Sequence, residues 1–378
     1  MADEEKLPQE LKEAILSHIF AQRDLQSLVA CALAHRSLRY ASQAYLFRDI
    51  QLHMGMPTAT KLRRALHDAP HLRAYVRVLR LEERSRSDQW IYREDSLSDI
   101  LEMLEDLQEL YLHPSSVYYG AIPEATRAAL AKVLALPSLR TLSLACMIEL
   151  PLSILTHLTQ LRDLRLAWTM HNSQETLPAL PGTVTERVAL SSLTLCLNEP
   201  SFAIVGMQLL EHGKGLPFRI DSLRSLRLYV YHRGWHQKAR SIIGQCASTL
   251  QSLELGLAPV VHGIAEDMFH ISFEALPRLK LLALRIAVDN SSLGLALIPT
   301  WLVDFLATAK DITHLAINLR SDSVFYLSAL LPRLGKMLAL EYTSPALKSA
   351  EKVEVTLELA EDDADVQPPL LGLELLDE

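Results

Sequence analysis

Residues 139–144 read LRTLSL, residues 161–166 read LRDLRL and residues 190–195 read LSSLTL. The shared phrase is an apolar residue, two variable positions and then Leu-x-Leu. Side chains alternate between the two faces of a strand, so the paired Leu point one way and the residue between them points the other. The apolar residue three places earlier turns inward where the strand begins. A strand with one apolar face needs cover, and such strands laid side by side make a sheet with one buried face.

Outward from these three, the phrase recurs nine times. It opens at Val76, Leu107, Leu139, Leu161, Leu190, Leu223, Leu250, Leu279 and Ile312, in steps of 31, 32, 22, 29, 33, 27, 29 and 33 residues. Apolar periodicity predicts helices between strands at Pro123 to Leu136, Phe202 to His212, His236 to Ala247, Ile264 to Leu276, Pro299 to Ala309 and Ser323 to Leu334. VEVTLEL, Val353 to Leu359, reads as a tenth strand. Strand and helix alternating in one direction predict an α/β fold, a solenoid with a curved parallel sheet.

The phrase resembles the leucine-rich repeat, whose usual period of about 20–29 residues is somewhat shorter. That family carries Asn or Cys three residues after the last Leu, where it bonds neighbouring loop backbones. Here only Asn198 keeps that place. Elsewhere it holds Arg84, Ser115, Met147, Thr169, Tyr231, Ala258, Ala287 and Arg320. The resemblance therefore implies an irregular horseshoe without an asparagine ladder.

Upstream, LPQELKEAILSHIFAQRDLQSLVACALAHRSLRYASQAYLFRDI runs from Leu7 to Ile50. Pro8 suits the start of a helix, where its missing N–H costs nothing. Leu11, Ile15, Leu16 and Ile19 follow at helical spacing. Asp24 is placed to cap a second helix carrying Leu25, Leu28, Val29 and Ala32. A third, Arg36 to Ala44, ends in Tyr45-Leu46-Phe47. So short a unit has more apolar surface than it can bury on itself.

These residues resemble an F-box. Leu7, Pro8, Glu10 and Leu11 match its opening, and Ile15-Leu16 its Ile-Leu pair. Asp24, Leu25 and Leu28 match its Asp-Leu-x-x-Leu, Cys31 a common Cys, and Tyr45 to Ile50 its closing phrase. Leu38 stands where many members carry Trp or Phe. The resemblance implies a subunit of a Skp-cullin-F-box ubiquitin ligase, with a Skp-family adaptor and a cullin scaffold as partners. Leu7, Pro8, Leu11, Ile15, Leu16, Ile19, Leu28 and Leu46 would form or support the adaptor contact, and the repeats would hold a target protein. A second reading makes these helices only the cap of a repeat-built binding scaffold.

The expected organisation is a tail at 1–6, a helical domain at 7–52, a connecting helix within 53–70, repeats over 71–360 and an acidic, solvated tail from 361 to 378. Target-binding candidates lie on the sheet's outward face, between and beside the paired Leu: Arg80, Tyr111, Arg165, Arg227, Tyr229 and Glu254. Arg80, Arg165 and Arg227 would make a mildly basic column suited to an acidic peptide.

The rest of the chain bounds the function. It has 378 residues, 49% of them hydrophobic, and about one residue in five is Leu. A net charge of −8 argues against a general nucleic-acid binder. Cys31, Cys146, Cys196 and Cys246 are scattered, without metal-ligand spacing, as in a cytoplasmic or nuclear protein. MADEEK has no apolar signal core. The run from Leu293 to Ala309 contains Pro299 and Asp304 and is short for a bilayer span, so no membrane partner is expected. His232 and His236 in YHRGWH, and His67 and His71, read as polar loop groups rather than metal ligands. No phosphate loop, nucleophile elbow or metal motif appears, so the expectation is a protein that is not an enzyme and needs no cofactor.

Overall fold

The computed structural model describes residues 8–53, 56–83, 90–169, 187–197, 199–210, 216–230, 236–257, 276–288, 312–321 and 352–359. The protein is mixed α/β. Its large parallel sheet runs in chain order through β1 (Asp49–His53), β2 (Val78–Glu82), β3 (Glu109–His113), β4 (Thr141–Ala145), β5 (Asp163–Ala167) and β6 (Ser192–Cys196). It continues through β7 (Ser225–Val230), β8 (Ser252–Leu257), β9 (Leu281–Val288), β10 (His314–Ser321) and β11 (Lys352–Leu359). The residues group into two compact units, 1–227 with 241–249, and 228–240 with 250–378.

In the first unit the register lines up the phrase. Leu79, Leu110, Leu142, Leu164 and Leu193 face one another across neighbouring strands, as do Leu81, Leu112, Leu144, Leu166 and Leu195. All ten are buried, and so are the leading apolar residues from Val76 to Leu190. In the second unit β8 to β11 pair the same way, with Leu282 opposite Leu315 and Leu315 opposite Val353.

A backbone contact repeats at the start of eight of the strands. The carbonyl of Arg48 accepts the N–H groups of both Arg77 and Val78, at 2.9 Å each. The carbonyls of Arg77, Gln108, Arg140, Arg162 and Ser191 each take two successive N–H groups of the next strand in the same manner, at 2.7–3.1 Å. Gln251 and Lys280 do so in the second unit. Hydroxyls add a second ladder one residue before the phrase. Ser138 donates to the Leu107 carbonyl at 2.8 Å, Ser222 to Leu190 at 3.2 Å and Thr249 to Leu223 at 2.9 Å. These Ser and Thr groups satisfy backbone acceptors between repeats where an asparagine ladder is missing.

Helices return the chain where the step is long enough. Ser96–Glu102 precedes β3, Glu124–Leu134 precedes β4, Glu199–Leu210 precedes β7 and His236–Cys246 precedes β8. The 22-residue step before β5 holds a two-residue strand, Met147–Ile148, and a 3₁₀ turn, Leu152–His157, in place of a helix. Cys146 and Trp168, each directly after a strand, take left-handed backbone with φ of 53° and 52°. The stretches expected as helices at Ile264 to Leu276, Pro299 to Ala309 and Ser323 to Leu334, and the tail from 361 to 378, lie outside the described residues, Leu276 excepted.

The N-terminal residues form α1 (Gln9–Ala21), α2 (Leu25–Ala34) and α3 (Arg36–Leu46). Pro8 is the N-cap of α1. Asp24 caps α2, accepting from the Ser27 N–H at 3.0 Å and the Ser27 hydroxyl at 2.6 Å. A fourth helix, α4 (Met56–Asp68), leads into a 3₁₀ turn at Pro70–Tyr75. His67 belongs to α4 and His71 to that turn, so neither is a loop group. The His71 ring meets Tyr40 at 5.8 Å and Tyr75 at 6.1 Å, fixing α3 against the turn.

The sheet also begins earlier than expected. Asp49–His53 pairs residue for residue with Val78–Glu82, inside the stretch read as helical. Phe47, Ile50 and Leu52 repeat the phrase with Ile in the first paired place. Leu142 is fully buried in the middle of the Leu rows. Leu142→Ala is expected to lower the unfolding free energy by about 2–5 kcal/mol, read from urea denaturation.

Candidate functional site

The first candidate surface is the helical unit. Its sequence has more apolar residues than three short helices can cover, and the structure divides them. Leu16 and Leu28 are completely buried, and Ile19 and Leu46 partly so. Leu11 and Ile15, one turn apart on α1, are 53% and 49% exposed. Pro8 is exposed at the helix start. Leu7 lies outside the described residues. Leu25, Val29 and Leu33 are exposed as well, at 55%, 46% and 77%. They stand at i, i+4 and i+8 and share one face of α2. Of this helix only Leu28 is among the expected adaptor residues, and it is core; Leu25 and Val29, apolar residues of the same helix, form the exposed stripe with Leu33. Its four-residue spacing was the available signal.

The second surface is the outward face of the sheet. In the first unit Gln51, Arg80, Tyr111, Ser143, Arg165 and Thr194 stand in one register row. Arg80 places its guanidinium carbon 4.2 Å from the Tyr111 ring centre, and its Nε lies 3.4 Å from an Asp49 carboxylate oxygen. The Tyr111 hydroxyl donates to Glu109 at 2.8 Å. Burial, with the Glu109 contact adding to it, pushes the Tyr111 phenol up to about 12. His113 Nε2 lies 2.8 Å from the Ser143 hydroxyl. Burial pushes the His113 imidazole down to about 4; Glu82 opposes the shift, and Arg165 and Arg80 reinforce it. The ring is therefore neutral at pH 7.

This row is less open than alternation alone implies. Tyr111, Ser143 and Thr194 are buried by their neighbours, and Arg80 and Arg165 are half-buried. Arg80 is matched by Asp49, so the expected basic column is largely neutralised at its first member. Arg227 sits on β7, two places from Arg165 in the strand order, and already has an interaction of its own.

In the second unit Tyr229, Glu254 and Arg285 form a compact polar group. The Tyr229 hydroxyl donates to Glu254 at 2.7 Å, and Arg285 Nε lies 2.6 Å from the same carboxylate oxygen. Tyr229 and Glu254 are buried. The Tyr229 ring lies directly over Gly256, where a Cβ would overlap its Cδ1 atom. Gly256 is thus required by close approach rather than by a turn.

Elsewhere in the first unit an open cavity of about 430 Å³ has an apolar floor of Leu209, Phe218 and Ile220 beneath Arg187, Arg219 and Asp221. Its Arg219 and Asp221 pair at 3.3 Å. Among the described residues, no cluster of three His, Cys, Asp or Glu is arranged to hold a metal ion. No described helix is long and apolar enough to cross a membrane.

Two outcomes follow from this geometry. Gly256→Ala is expected to destabilise the fold by about 1–3 kcal/mol through overpacking, and the cost should largely vanish in a Tyr229→Ala background, measured as a double-mutant cycle. His113 has a folded value of about 4 against an ordinary 6.5, so the unfolded chain binds its proton more readily between those values. Its contribution to stability is complete above pH 6.5 and is lost as the pH falls toward 4. Urea unfolding across that window should show this slope, and His113→Gln should flatten it.

Comparison of the sequence with protein-family models finds no match, and comparison with curated proteins finds none either.

Proposed function

We propose that this chain is a non-catalytic substrate-recognition subunit of a Skp-cullin-F-box type ubiquitin ligase. In this reading the N-terminal helices are an F-box that docks a Skp-family adaptor, itself bound to a cullin scaffold. The repeats are a leucine-rich-repeat solenoid that holds a target protein, in the cytoplasm or the nucleus. The protein performs no chemistry; it raises the target's effective concentration near the ligase.

One observation carries the reading. Of the large apolar side chains that are exposed among the described residues, Leu11, Ile15, Leu25, Val29, Leu33 and Tyr40 all belong to the helical unit, against only Tyr118, Val353 and Val355 elsewhere. The same helices bury Leu16 and Leu28 completely, so they have a core of their own and an apolar face beyond it. Concentrated apolar exposure of this kind marks an interaction surface. The outward groups of the sheet supply the target-facing side. In the first unit Arg165, partly exposed beside the buried Tyr111, offers donors to an acidic partner.

The capping alternative has its own support, because α3 packs on the Pro70–Tyr75 turn and runs almost directly into β1. The two readings differ in what the exposed residues do. Under the docking reading, Leu11→Ala with Ile15→Ala abolishes co-purification of the adaptor and leaves the thermal midpoint of the purified chain unchanged. Each anchor is expected to contribute about 2 kcal/mol to binding. Under the capping reading the same pair lowers the midpoint. Undiminished adaptor binding by the double variant would sink the assignment.

A further inference from the structure

We propose that Arg165 anchors a carboxylate site on the outward face of the sheet, which takes one aspartate or glutamate side chain of a bound target and discriminates against phosphate. The proposal rests on the reading that the repeats hold a target protein, and it names the chemistry this face selects.

Arg165 stands at the middle of β5, between Ser143 on β4 and Thr194 on β6, both uncharged. Its side chain is half-buried, and among the described residues it makes no ion pair. A charge taken partly out of water without a counter-ion costs stability. Arg80, in the same register row, shows the arrangement completed, with Asp49 beside its guanidinium. Arg165 lacks that carboxylate.

The nearby acids are already engaged. Asp163, two residues earlier on β5, accepts from the Ser191 hydroxyl at 3.1 Å and from the Thr141 hydroxyl at 3.4 Å. Glu109 accepts from the Tyr111 hydroxyl at 2.8 Å. The anion that would satisfy Arg165 therefore comes from outside this group.

The surroundings fit one carboxylate. His113 Nε2 lies 2.8 Å from the Ser143 hydroxyl. With its proton on Nε2, the neutral ring donates to Ser143, and the Ser143 proton is free to turn to an incoming acceptor. Two residues further along the strands, Ala145, Ala167 and Cys196 form a register row of small, buried side chains. The methylene groups of an acidic side chain can lie on that shelf. Its carboxylate then accepts two parallel N–H bonds from the Arg165 fork and one bond from Ser143. A phosphoryl dianion needs a second cation. The next one in the row, Arg80, is held by Asp49 and lies over the Tyr111 ring, and Asp163 and Glu109 oppose a second negative charge.

The test titrates the purified full chain at pH 7 with three capped amino acids: acetyl-glutamate amide, acetyl-glutamine amide and acetyl-phosphoserine amide. The readout is the proton NMR signal of the His113 ring, identified by its loss in His113→Gln. The capped glutamate should move this signal saturably at millimolar concentration, and the capped glutamine should leave it in place. The capped phosphoserine should bind about tenfold more weakly than the glutamate. Arg165→Lys keeps the charge but loses the fork, and should weaken glutamate binding about tenfold. Arg165→Gln should abolish binding and leave the urea midpoint of the free chain unchanged or higher, because no internal partner is lost. A capped glutamate that produces no saturable shift overturns the proposal. So does binding that survives Arg165→Gln, phosphoserine binding as tight as that of glutamate, or a midpoint lowered by Arg165→Gln, which would assign the side chain to the fold. The adaptor takes no part in these measurements, so their failure is separate from failure of the docking assignment.

Discussion

A parallel strand has no hairpin to fix its alignment with the next, because the chain must cross over before it returns. In this protein the alignment is set where each strand begins. One carbonyl, from Arg48 through Ser191, receives two successive N–H groups from the following strand. That contact leaves a single register, and in that register every Leu-x-Leu pair lands opposite the previous one. A slip of one residue would turn the whole Leu row to the outward face. The hydroxyls of Ser138, Ser222 and Thr249 hold the approach to the contact in the same way. Loop length is then free to vary, and the return segment becomes a helix or a 3₁₀ turn according to the room available.

Much of this could be read from the sequence, because burial of alternate side chains is a local pattern. The nine phrases are all strands, their leading apolar residues are buried, and Asp24 caps the helix it was expected to cap. The first strand is hard to read in the sequence because Tyr45 to Ile50 also match the closing phrase of the F-box-like unit, and Ile50 replaces the usual Leu. The paired carbonyl was not visible at all, since backbone acceptors have no residue identity. Its trace is indirect: Arg77, Arg140 and Arg162 occupy the same place in their repeats, and the first two spend their guanidinium groups on loop carbonyls at 2.9–3.1 Å.

The candidate sites were legible in part, and for a definite reason. Alternation tells which face a side chain leaves from, but its exposure depends on neighbours contributed by other strands. Tyr111 and Glu254 do leave from the outward face, yet Arg80 and Tyr229 lie across them and close them off. On the helices the difficulty is reversed. Leu25 and Leu28 are identical in sequence terms, and only the packing of three helices makes one core and the other surface. Among the described residues, most of the exposed large apolar side chains belong to the N-terminal helices, while charged groups on the sheet face such as Arg80 and Arg285 find partners of their own.

The uniform junction between strands has an evolutionary corollary. At eight of the junctions one strand presents its successor with the same acceptor and receives the same two donors, whatever the intervening loop. Excision or duplication of one whole repeat therefore brings together ends that already fit, and the Leu rows close across the gap without a new interface. The steps of 22 to 33 residues between phrases are the length variation such a junction tolerates. A lineage built on it can change how many outward side chains it displays, and which ones, while the chemistry joining its strands stays fixed.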